Sequence, residues 1–133
     1  MYERHEVGIN GEEAACDYLK RLGYKIYCRN FRSYFGEIDI IAIDKNEIVF
    51  VEVKTRTQKN FGRPAEAVDI NKKHHIYKTA EYFVLLNELE NSFMRFDVIE
   101  IYINKNNDIK ITHIKNAISE KPVYTNVENI DLQ

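Results

Sequence analysis

Charge sits inside two apolar runs of this chain, where it is costly to place. The stretch GEIDIIAIDKNEIVFVEVKTR, residues 36–56, reads as two hydrophobic strands joined by a short polar turn, yet it carries Asp39 and Glu52 within the strands and Lys54 just behind. If the turn is symmetric about Lys45 and Asn46, Asp44 pairs with Glu47 and facing residues have numbers summing to 91. Asp39 then faces Glu52, and Glu37 faces Lys54 on the same side of the sheet, because side chains alternate with period two. Directly opposed side chains have Cβ atoms about 4.5 to 5.5 Å apart, and like charges at that spacing repel. Two such carboxylates want a cation between them, or one of them must keep a proton. Oxygen ligands with several water positions suit a hard divalent ion, Mg²⁺ or Mn²⁺, rather than zinc with its preference for nitrogen and sulfur.

The elements that position these groups follow from the periodicity. From residue 5 to 22, Ala15, Tyr18, Leu19 and Leu22 repeat at helical spacing and Gly23 supplies a stop. Gly8, Gly11 and Glu12 share the stripe of Tyr18 and Leu22, so a third acid, Glu12, points inward while Glu13 points away. Two glycines in a helix cost up to about 1 kcal/mol each relative to alanine, so close packing or a close ligand must compensate. The plainer role for Glu12 is to cap the start of its helix. Strands are expected at residues 25–32, 37–44 and 48–55, a second helix at 69–89 and two further strands at 95–103 and 108–114. In the two middle strands Ile38, Ile40 and Ala42 face one way with Val49, Val51 and Val53, and Ile41, Ile43, Ile48 and Phe50 face the other. Strands apolar on both faces belong at the centre of a covered sheet. The expected fold is therefore an α/β sandwich around a mixed five-stranded sheet, one domain over residues 1–120 with 121–133 as a tail or arm.

Composition bounds the function. The 133 residues, 44% hydrophobic and 30% charged, describe an ordinary globular domain. No apolar run approaches a membrane span or a signal-peptide core, so no membrane partner and a cytoplasmic location are expected. Cys16 and Cys28 form no metal-binding spacing and are expected as reduced thiols. The net charge of −2 decides nothing, but seven bases against two acids lie between Lys54 and Lys78, and eight acids against five bases lie from Glu88 onward. That polarity fits a face for a polyanion as well as a solvated surface. His74 and His75 are adjacent on a helix and diverge, which argues against a shared histidine site.

Taken in order, the GxxGE of the first helix, GEIDII, FVEVKTR, FGRPAEAV with Lys72 after it, and RFDVI resemble the YraN-type family of small bacterial proteins. Members of that family are themselves similar to PD-(D/E)xK nucleases. The likeness runs from Gly8 to about Ile99. It implies a restriction-endonuclease-like sandwich, related to archaeal Holliday junction resolvases. By position, Asp39 matches the motif aspartate, Glu52 and Lys54 match the charged residues of the ExK motif, and Glu12 matches the first-helix acid. The proline before the aspartate is replaced by Ile38. The resemblance implies Mg²⁺- or Mn²⁺-dependent hydrolysis of DNA phosphodiesters, on branched or repair and recombination intermediates. Asp39, Glu52 and the Val53 carbonyl would hold the ion, with Glu12 ligating directly or through water. Lys54 would orient or deprotonate the attacking water, or stabilise the transition state. Arg56, Lys59, Arg63 and Lys72 would hold the nucleic-acid backbone, and a homodimer is implied. The competing expectation is a non-catalytic nucleic-acid-binding module with a vestigial site.

Overall fold

The computed structural model describes residues 10–57, 70–118 and 123–128. Helix α1 (Gly11–Arg21) begins at Asn10, whose extended backbone and side-chain oxygen, accepting the Glu13 N–H at 3.1 Å, make it the N-cap. Asn10 thus takes the capping role that Glu12 was a candidate for. At the other end Gly23 (φ +95°) closes a Schellman motif: its N–H donates to Lys20 O at 2.9 Å, and Tyr24 N–H to Leu19 O at 3.0 Å. This cap turns Leu22 away from the core, and it is 51% exposed rather than buried with Tyr18.

Five strands fall where the sequence places them: β1 (Lys25–Ser33), β2 (Gly36–Asp44), β3 (Glu47–Arg56), β4 (Phe93–Ile103) and β5 (Ile109–Lys115). A sixth, β6 (Val123–Glu128), comes from the expected tail and pairs antiparallel with β5. The strands lie in sequence order, antiparallel throughout except for the parallel pair β3 and β4, which helix α2 (Ile70–Leu86) connects. The result is a restriction-endonuclease-like α/β sandwich. α1 covers one face, where Ala14, Ala15, Tyr18 and Leu19 pack with Ile40, Ala42, Val49, Val51 and Ile99. α2 covers the other, where Ala80, Phe83 and Val84 pack with Ile38, Ile41, Ile48 and Phe50. Tyr77, on the same helix, is 53% exposed and sets its ring against Phe96.

The β2–β3 hairpin has the expected register, from Asp44 opposite Glu47 to Ile40 opposite Val51. Lys45 takes φ +60°, the left-handed conformation that a two-residue hairpin turn requires at its first central position. Ile38 departs from expectation: it packs on the α2 face with Ile41, not with Ile40. Between the pairs Arg29/Ile40 and Phe31/Ile38, Asn30 takes φ +53°, and the side-chain alternation breaks at this point.

Gly11 is where α1 meets the sheet. A Cβ there would lie 1.9 Å from Thr55 Oγ1 and 3.1 Å from Thr55 Cβ, so only glycine allows the helix to approach β3 this closely. Gly11→Ala should destabilise the fold by about 1 to 2 kcal/mol, the overpacking cost outweighing the gain in helix propensity. Thr55→Ala in the same chain should restore most of the loss. Thermal melts of the two single variants and the double variant check this, and additive effects would show that Gly11 and Thr55 do not interact.

Candidate active site

The paired stretch of the hairpin ends at Ile40 and Val51. One residue further on, the Asp39 carboxylate occupies the place of a ladder bond, and its Oδ2 accepts the Val53 N–H at 2.8 Å. The aspartate side chain therefore joins β2 to β3 where their backbone ladder ends. Glu52 is half-buried, with Oε1 withdrawn from solvent. Lys54, half-buried, leaves β3 on the same face as Glu52 by the two-residue alternation. A cavity of about 260 Å³ opens beside them, lined by Asp39 and Glu52 on its polar side and by Phe50, Ile76, Phe96 and Val98 on its apolar side.

The acids act on one another. The Asp39 carboxyl is pushed up to about 6, chiefly by burial; the Val53 hydrogen bond opposes the rise, and the negative charges of Glu12, Glu52 and Glu37 add to it. Glu12 and Glu37 are drawn sideways onto cations and an amide. Arg29 Nη2 lies 3.8 Å from Glu12 while its Nη1 donates to Glu13 at 2.9 Å, and Arg32 Nε donates to Glu37 at 3.2 Å. With its amide oriented by these surroundings, Asn30 donates to Glu12 Oε1 at 3.2 Å and to Glu37 Oε2 at 3.3 Å. Among the described residues no three acid, histidine or cysteine side chains converge tightly enough to enclose an ion. The donor chemistry nevertheless fits a hard divalent cation, because a carboxyl pushed towards protonation by burial, with neighbouring carboxylates adding to the rise, is one that such an ion would hold in its charged form.

The raised Asp39 group has a signed consequence for stability. Its folded value lies above its ordinary 3.8, so the stabilising contribution of the protonated form is fully present below about pH 3.8 and is lost as pH rises through about 6. Asp39→Asn keeps an oxygen for the Val53 N–H and removes the charge. In EDTA it should stabilise the fold above pH 6 by on the order of 1 kcal/mol, and do little near pH 4. Urea midpoints at pH 4 and pH 7.5 decide the matter; a loss of stability at pH 7.5 would make Asp39 a structural acceptor only.

The basic residues divide. Arg56 is in an ion pair with Glu100 on β4, the two side chains being 14% and 13% exposed, so its guanidinium is engaged within the sheet. Lys59, Arg63, Gly8 and the FGRPAEAV motif lie outside the described residues, as does the side chain of Lys72.

A second polar cluster escaped the sequence reading. Asp97, 2% exposed, accepts from Arg95 Nε at 3.1 and 3.3 Å, from Asn116 N–H at 3.1 Å and from His113 Nε2 at 2.8 Å. With Nε2 donating, His113 Nδ1 is left to accept from Tyr18 OH at 2.9 Å. Arg95 Nη1 also reaches Glu47 at 2.8 Å and Asp44 at 3.2 Å. Burial, then the charge of Asp97, pushes the Tyr18 hydroxyl up to about 12. Burial opposes the charge on Arg95, but its bonds to Asp97 and Glu47 prevail and raise its affinity for the proton. These bonds tie α1, β4 and β5 together behind Glu52, since Asp97 stands opposite Val51 and Val98 opposite Glu52. The signal in the sequence was RFDVI itself, an arginine and an acid two residues apart in an apolar strand.

Fold and site together define a small restriction-endonuclease-like α/β domain with a carboxylate cluster at the end of its central hairpin. The chain belongs to the uncharacterised protein family UPF0102, whose family model matches residues 11–101. It is 50% identical over 115 residues to a UPF0102 protein of Caldicellulosiruptor saccharolyticus, covering 86% of this chain and 98% of the relative. A UPF0102 protein of Caldanaerobacter subterraneus subsp. tengcongensis is 50% identical over 113 residues, covering 84% and 93%. One of Clostridium botulinum strain 657 is 49% identical over 118 residues, covering 87% and 96%. Among the described residues no helix is long and apolar enough to cross a membrane.

Proposed function

We propose that the protein is a Mg²⁺- or Mn²⁺-dependent endonuclease of DNA, with branched repair or recombination intermediates as the first substrates to examine. The observation that carries this reading is Asp39, set in the gap at the end of the β2–β3 ladder and pushed up to about 6 by burial and by three neighbouring acids. A purely structural carboxylate has no use for that concentration of negative charge. Asp39, Glu52 and the Val53 carbonyl would hold the ion, with Glu12 reaching it directly or through water. When bound, the ion supplies a water of lowered pKa and offsets charge on the phosphoryl oxygens. Lys54 orients the attacking water, takes its proton, or stabilises the negative charge that builds up on the phosphate. Lys59, Arg63 and Lys72 grip the DNA backbone without reading sequence. Arg56, first expected in that group, holds Glu100 and so fixes the end of β3 beyond Lys54. A homodimer belongs to the same proposal, and sedimentation showing only monomer at high concentration would remove it.

A second reading, a nucleic-acid-binding module with a vestigial site, is favoured by the engagement of Glu12 with Asn30 and Arg29. One experiment separates the two. Single-stranded, duplex and branched DNA are incubated with the protein in Mg²⁺ and in EDTA. Cleavage confined to Mg²⁺ supports the endonuclease. Binding in EDTA with no cut under Mg²⁺ or Mn²⁺ supports the module.

A further inference from the structure

Two-residue hairpin turns favour Gly, Asn and Asp. The turn between β1 and β2 instead holds Tyr34 and Phe35, flanked by the closing pair Ser33 and Gly36. Tyr34 is 97% exposed and Phe35 41%, with ring centroids 5.7 Å apart and planes at 83°. The turn is braced from beneath. Phe35 N–H donates to Ser33 Oγ at 3.0 Å, Ser33 Oγ lies 3.2 Å from Thr79 Oγ1, and Thr79 Oγ1 donates to His75 O at 2.8 Å, a relay that fixes the turn on α2. Even Gly36 sits against α2, since a Cβ there would lie 3.4 Å from Thr79 Oγ1. Lys78 Nζ stands 5.9 Å from the centre of the Phe35 ring. Two rings are thus presented to solvent on a rigid support beside a cation.

We propose that this turn is a stacking tip that takes an unpaired base of the nucleic-acid substrate, so that the protein prefers DNA with unstacked nucleotides to continuous duplex. The inference rests on the nucleic-acid reading above and deepens it. Every base has a face that stacks on an aromatic ring, and a cation beside the ring attracts the adjoining phosphate. In a continuous duplex those base faces are already stacked on one another, and the rings have nothing to receive. The tip is also close to the chemistry. Phe35 precedes Asp39 by four residues of β2, about 13 Å at 3.3 Å per residue, or about four steps of duplex at 3.4 Å each. A strand held at the tip would present a phosphate a few nucleotides away to the carboxylates.

The test is equilibrium binding in EDTA, which needs no cleavage, to a relaxed, covalently closed duplex circle and to the same circle carrying a five-nucleotide gap. Both rings are exposed, so the double variant Tyr34→Ala/Phe35→Ala should keep the wild-type melting temperature. It should bind the gapped circle about tenfold or more weakly, and the closed circle within about twofold of wild type. Tyr34→Phe, which keeps the ring, should bind like wild type. Unchanged affinity for the gapped circle, or equal losses on both circles, would overturn the stacking tip alone. Loss of self-association in the double variant without loss of gap binding would reassign the patch to contacts between copies. A wild-type protein that binds neither circle would overturn the tip and the endonuclease reading together.

Discussion

Asp39→Ala and Glu52→Ala should each slow Mg²⁺-dependent DNA cleavage by about a thousandfold or more. A metal ion contributes several kcal/mol to stabilising charge in such a reaction, and each 1.36 kcal/mol is a factor of ten in rate. Binding should move the other way. In EDTA the carboxylates of Asp39, Glu52, Glu12 and Glu37 repel a phosphate, and removing one of them should leave DNA affinity unchanged or slightly tighter. Asp39→Ala also leaves the Val53 N–H without its acceptor, at a cost of about 1 to 3 kcal/mol in stability. Cleavage that survives either substitution, or that persists in EDTA, would point to a contaminating nuclease. Equal losses of cleavage and of EDTA binding would show that these acids shape the fold rather than the reaction.

Asp97→Ala should cost about 3 to 5 kcal/mol of folding stability, a large share of what a domain of this size has. The side chain is fully buried, and its removal strands Arg95 Nε, the Asn116 N–H and the His113 Nε2 donor at once. Asp97→Asn keeps the shape and an acceptor for Arg95, but it turns an amide N–H₂ towards a His113 nitrogen that is already donating. His113 can answer by changing tautomer, its Nδ1–H then donating to the Tyr18 oxygen, so what remains is the loss of the charge-assisted bonds to Arg95, about half the alanine penalty at most. Urea midpoints at pH 7 measure both variants. A loss below about 1 kcal/mol for the alanine variant would mean that water or a rearranged Arg95 compensates, and that the cluster does not secure α1 to the sheet.

The β2–β3 hairpin was legible because its information is local. Asp44 and Glu47 flank a two-residue turn, and period-two alternation carries the register from there to Ile40 and Val51. Beyond that point the sequence did not show the detail: the ladder stops at Ile40 and Val51, one residue short of the expected Asp39 and Glu52 pair, and Asp39 accepts from the Val53 N–H instead. The alternation breaks at Ile38 beside the left-handed Asn30 of the neighbouring strand, a conformation that asparagine tolerates better than most residues but does not require. Leu22 was misread because helical spacing cannot show where the last turn closes, and Gly23 closes it just early enough to turn Leu22 outward. The Tyr18–His113–Asp97–Arg95 cluster joins residues up to 95 positions apart in the chain, and periodicity carries no information at that range. The sixth strand was missed for want of pattern; β5 supplies the ladder that VYTNVE could not specify for itself.

β3 is bound on its two sides by partners of very different reach along the chain. On one side β2 is joined to it through Lys45 and Asn46 alone; on the other the parallel β4 returns only after the whole crossover that contains α2. Loop-closure entropy grows with the length enclosed, and local pairings form ahead of distant ones. Asp39 and Glu52 therefore meet in a hairpin that can close before Arg95 and Asp97 arrive on β4 to secure it from behind. During that interval the repulsion between the two acids falls on a structure with little of its hydrophobic core in place. On the endonuclease proposal, divalent cations present while the chain folds would act on this early hairpin as well as on the finished protein, and the acids proposed for the chemistry would also make its assembly sensitive to the ions around it.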